Sequence, residues 1–176
     1  MDTLPLAHWE NFYVIVGSAA AGLTGLTFVV IALIRDVANV RPTGLGAFVT
    51  PTIVHFGGVL ALAAYLSMPE QKIWTLSAGF AVAGVFGVVY GGVIAGNMRR
   101  QGTAYIPVRE DWVWNVVLPT LAYGLLVLMS ILVWRHPVAA LYAVASLTLA
   151  LLFIGIRNAW DIAAWMTTHG PRKPEP

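Results

Sequence analysis

The sequence predicts an all-α fold, a polytopic membrane protein built as a five-transmembrane-helix bundle with its N-terminus outside and its C-terminus inside (N-out/C-in). Composition, the spacing of apolar runs and the placement of Lys, Arg and Trp all point that way. Of 176 residues, 59% are hydrophobic and 10% are charged; a soluble domain carries about 25% charged residues. So sparse a set of charges cannot keep a surface wet, and lipid is the simplest cover for it.

A spanning helix needs about 20 mostly apolar residues. Five runs meet or approach that length, at 12–34, 45–67, 73–97, 112–134 and 138–156, and the first four contain no charged residue. The last is expected to continue past Arg157 as an interfacial stretch to about 168, with Ile156, Trp160, Ala163 and Ala164 near one face. Strand-period alternation is absent, which argues against a lipid-embedded β-barrel. Residues 1–169 therefore read as one transmembrane domain, and the Pro-rich, charged segment 170–176 as a mobile tail. Asp2 and Glu10 stand where a secretory signal would be basic, so the first run reads as a permanent helix.

Orientation follows from the cations. With an external N-terminus, Arg35, Arg41, Arg99, Arg100, Arg109, Arg157, Arg172 and Lys173 fall inside, and Lys72 and Arg135 outside. Eight against two is a clear positive-inside bias. Trp9, Trp74 and Trp134 fall at outer boundaries and Trp112, Trp114, Trp160 and Trp165 at or near inner ones. An indole favours those positions because it buries its ring and still hydrogen-bonds. The expected location is a bacterial cytoplasmic (inner) membrane, with lipid as the immediate partner.

Two patterns bear on function. In the third run Gly79, Ala83, Gly87, Gly91 and Ala95 recur every four residues, a smooth face for close helix packing or for an oligomer interface. Intramolecular packing is the plainer reading, with this helix at the centre of the bundle. The first run holds small pairs four apart, Ser18 with Gly22 and Ala21 with Gly25. The second pattern is polar. His55 lies ten residues into the second run, near the bilayer midplane, with Thr52 one turn before it and Pro51 nearby. An ionisable residue at that depth is either functional or a neutral packing determinant. Tyr123, Thr120 and Thr24 fall at similar depth, so a midplane polar layer of Thr24, Thr52, His55, Thr120 and Tyr123 is expected. The hydroxyls of Thr24 and Thr27 can instead return to their own helix. Asn115 is expected to face headgroups or water.

Much chemistry is excluded. No cysteine exists for a disulfide, thiolate metal site or nucleophile. No run carries a lysine for a Schiff base, paired carboxylates, an HExxH or a serine elbow. His8, His136 and His169 lie at or outside the interfaces, away from His55. No catalytic set, cofactor or metal site is discernible, and a net charge of +2 spread over short loops gives nucleic acid no footing.

The first-run string VGSAAAGLTGLTFVVIAL resembles that of small, poorly characterised bacterial multispanning membrane proteins, some described as modulators of the FtsH membrane protease. That resemblance implies a protein partner and supplies no catalytic residues. Three functional classes follow from the sequence. They are an oligomeric channel or carrier for ions or small solutes, an accessory or regulatory subunit docked on a larger membrane complex, and an enzyme or cofactor carrier.

Overall fold

The computed structural model describes residues 5–38, 45–100 and 108–169. A 3₁₀ turn, Pro5–Trp9, leads into α1, Glu10–Ala38. Then come α2 (Leu45–Leu66), α3 (Ile73–Arg100), α4 (Arg109–Leu132) and α5 (Pro137–His169). No strand occurs among the described residues. Four segments are long and apolar enough to cross a membrane: Glu10–Ala32, Ile73–Arg100, Arg109–Leu132 and Pro137–Ala164. In α2 the described apolar stretch is the shorter Thr50–Leu66. These features fit a helical membrane protein. The 170–176 tail and residues 39–44 and 101–107 of the two connections lie outside the described residues.

Helices α2, α5, α4 and α3 form a ring, each packed on the next, and α1 lies outside it against α2 and, more lightly, α5. The ring closes unevenly. Its tightest seam joins α3 to α4, whereas α2 and α3 touch sparingly despite their short connection. The core runs through Phe56, Leu76, Phe80, Leu126, Leu141, Val144 and Leu151.

Glycine explains the tight seam. A Cβ added at Gly84 would stand 2.6 Å from a methyl of Val127 and 2.8 Å from the Tyr123 carbonyl oxygen. At Gly87 it would enter the Tyr123 ring, and at Gly91 it would meet the Thr120 hydroxyl. Bare backbone lets the two helices approach closely and gain dispersion contacts that larger side chains would block. At the end of the seam near the α4–α5 turn, the Trp134 indole N–H donates to Ser77 at 3.0 Å, and the Ser77 hydroxyl donates to the Ser130 carbonyl at 2.7 Å.

The structure departs from the sequence reading in two places, at α3 and at Asn115. Helix α3 is peripheral rather than central: Val82, Val85, Phe86, Val89 and Val93 all face outward, while α2 touches α1, α5 and α3. Helix α5 continues through Arg157, which pairs with Asp161 one turn on, to His169. Asn115 is buried rather than facing headgroups or water. It lies in a π-helical turn, Val113–Val117, that rotates it inward, and its side-chain amide donates to the Asp111 carbonyl at 3.1 Å.

Gly84→Leu should lower stability by about 1–3 kcal/mol through overpacking of the seam. Gly92→Leu, where a Cβ meets nothing within 4 Å, should leave stability intact. Denaturant titration in detergent micelles compares the two; equal losses would mean that α3 does not sit on α4 as described.

Candidate functional site

Tyr123 links three helices. It projects from α4, its ring lies over the bare backbone of Gly87 on α3, and its hydroxyl comes within 2.9 Å of where a Cβ of Gly58 on α2 would be. That reach brings the hydroxyl 3.3 Å from Nδ1 of His55, also on α2. Both side chains are buried, His55 to 1% exposure. At 3.3 Å the contact is long for a hydrogen bond, so the hydroxyl keeps freedom to turn toward another partner. Tyr90 of α3 also meets the imidazole, in an edge-to-face arrangement with ring centroids 6.4 Å apart.

The remaining polar residues divide around this pair. Thr52 is fully buried one turn before His55. Thr120 stands one turn before Tyr123 over Gly91; its hydroxyl oxygen is buried and has no hydrogen-bond partner among the described residues. Thr24 does not join them, because its hydroxyl donates to the Ala20 carbonyl of its own helix at 2.8 Å. Thr27 bonds back to Leu23 in the same way at 2.7 Å. Of the small-residue face, Gly87 and Gly91 back onto α4, Gly79 lies under the Tyr65 ring of α2, and Ala83 and Ala95 are half-buried.

Beside the His55–Tyr123 pair lies a groove that sequence reasoning missed. Where α2 and α3 part, a cleft of about 680 Å³ opens to the outside. Its α2 wall includes Val54, Gly57 and Gly58, its α3 wall Ala78, Gly79 and Phe86, and its floor Tyr123, Leu126 and Leu151. Tyr65 closes the end near the α2–α3 turn. It is held there by its hydroxyl, which donates to the Thr75 carbonyl at 2.6 Å, and by Gln71, whose side-chain amide donates to the Tyr65 carbonyl at 2.8 Å. Among the described residues, no charged side chain lines the cleft. The signal in the sequence is the Gly57-Gly58 doublet just after His55, since paired glycines leave a helix face without bulk.

No protein-family model matches the chain, and no curated protein or solved structure is detectably similar to it. The functional reading therefore rests on this geometry.

A double-mutant cycle measures the central contact. His55→Phe, Tyr123→Phe and the double variant should show a coupling of about 0.6–1.7 kcal/mol, the range of interhelical hydrogen bonds in membranes. Zero coupling in bicelle unfolding would mean that the two side chains merely touch.

Proposed function

We propose that the chain is a five-span protein of a bacterial cytoplasmic membrane, oriented N-out/C-in, that binds or carries a lipophilic small molecule taken sideways from the lipid. The cleft between α2 and α3 carries this reading. It is apolar, opens laterally, has a volume within the roughly 300–1,000 Å³ of small-molecule pockets, and has at its floor Tyr123, one member of the buried polar pair. In water an open apolar cleft of that size would be costly; in hydrocarbon it carries no such penalty, because lipid tails are as apolar as its walls. An ion path through one copy has less support, since His55 and Thr52 are packed into the ring rather than set along an opening.

A second reading, an accessory or regulatory subunit, draws on α1. Ser18, Ala21, Gly22 and Gly25 face outward, and a Cβ at Gly22 or Gly25 would meet nothing within 4 Å. The first-helix resemblance to described FtsH-protease modulators points to the same class. In that case the protein should purify in mild detergent within a larger complex that Gly22→Leu disrupts.

Two experiments address the main reading. The chain has no native cysteine, so single cysteines report topology cleanly. Lys72→Cys and Arg135→Cys should react with a membrane-impermeant maleimide added to intact spheroplasts, and Arg109→Cys only after lysis. The reverse pattern would invert the orientation. For the cleft, a photoreactive long-chain hydrocarbon in nanodiscs should label its walls preferentially. Gly57→Leu, which fills the cleft from a position with open space, should cut that labelling several-fold. Even labelling around the whole circumference, unchanged by Gly57→Leu, would rule out a binding cleft.

A further inference from the structure

We infer that the occupant of the cleft is a neutral, long-chain lipophile whose head carries a hydrogen-bond-accepting carbonyl oxygen, received by the Tyr123 hydroxyl. The inference rests on the proposed lipophile-binding reading and narrows its ligand class.

Charge comes first. The described lining holds no cation, so a carboxylate or phosphate brought to the floor would be buried without a counter-ion, a large penalty. By helix rise, Tyr123 stands about 18 Å from Arg135 and about 21 Å from Arg109 along α4. A headgroup at that depth is therefore neutral. A phospholipid anchored at the surface would present only methylenes there.

Hydrogen-bond capacity comes second. Two lining residues bring hydroxyls, Tyr65 and Tyr123. Tyr65 is committed, donating to Thr75 at 2.6 Å. Tyr123 is not: its one described partner is His55 Nδ1, at 3.3 Å. A neutral imidazole has one N–H, and a phenol one O–H. If Tyr123 donates to Nδ1, the imidazole proton sits on Nε2, which is buried with no partner among the described residues. If Nδ1–H donates to the phenol oxygen instead, Nε2 becomes a bare acceptor and the Tyr123 O–H is released. Either way the pair holds one donor hydrogen too many.

Position selects between the two. Tyr123 lines the cleft and its hydroxyl abuts Gly58, also of the lining. His55 does not line the cleft and is 1% exposed. An accepting oxygen in the cleft therefore meets the spare hydrogen at Tyr123, and it fixes the imidazole in the Nδ1–H form. That arrangement leaves an unused acceptor buried in place of an orphaned N–H, the lesser burden.

The test is competition against the photoreactive hydrocarbon in phosphatidylcholine nanodiscs, comparing a long-chain methyl ketone with the alkane of equal length. The ketone should displace the label at about tenfold lower concentration than the alkane, equivalent to about 1.4 kcal/mol. Its ¹³C carbonyl resonance should move downfield on binding. Tyr123→Phe should abolish both differences while hydrocarbon labelling persists. Gly58→Ala, whose Cβ would displace the hydroxyl, should do the same without removing it. Equal competition by ketone and alkane, or stronger competition by the matching fatty acid carboxylate, would overturn the inference and leave the cleft reading standing. Loss of all cleft labelling in the unmodified protein would overturn both.

Discussion

The fold turns on the absence of side chains at Gly84, Gly87 and Gly91. In hydrocarbon no hydrophobic driving force draws one helix to another, so association depends on how closely backbones approach. Those three positions let α3 settle onto α4 where a single Cβ would collide with Val127, Tyr123 or Thr120. Because Gly87 yields its space to an aromatic ring, Tyr123 spans the bundle interior instead of being turned outward. Its hydroxyl then reaches α2 at the level of His55. A packing feature on one helix thus sets the chemistry between two others.

The polar interior follows the same logic. Burial of Thr52, His55 and Tyr123 removes them from any solvent that could satisfy them, and an unpaired buried group costs about 1–3 kcal/mol. The bundle offsets part of that through the His55–Tyr123 contact and, among the described residues, leaves part outstanding, at His55 Nε2 and the Thr120 hydroxyl. Well-packed interiors seldom leave such groups orphaned. Among the described residues such groups also occur at Tyr13, Asn115 and Asn158; those at His55 and Thr120 are the ones that flank Tyr123.

Much of this was legible in the sequence, for reasons that can be named. Helix existence and extent followed from apolar run length, because nothing but a helix satisfies its own backbone across so long a run. Depth along a helix follows from a fixed rise per residue, which is why His55, Thr120 and Tyr123 could be set at one level before any packing was known. Facing could not be read so directly. Counting residues assigns Thr24 to the same level, yet its hydroxyl is satisfied locally by Ala20 and its helix lies outside the ring. The centrality of α3 was misjudged because a small-residue stripe shows that something packs closely, not how many neighbours gather around it. Asn115 escaped because a π-turn shifts the phase of the helix, and counting at 3.6 residues per turn cannot anticipate that.

The cleft was least legible, since it is made by what two helices fail to do. Near their turn, α2 and α3 are clamped by the Tyr65 ring lying over Gly79, with its hydroxyl tied to Thr75. Toward the middle they are bridged through Tyr123, which sits on Gly87 and against Gly58. An aromatic ring at each end spaces the helices, and glycines and alanines between leave the interval unfilled. Closing that interval would require α2 to move toward α3 at Gly57 and Gly58, and the Tyr123 ring, seated on Gly87, already reaches contact distance of Gly58 there. The residue that supplies the polar floor therefore also holds the cleft open, so the same side chain sets both its shape and its hydrogen-bonding character.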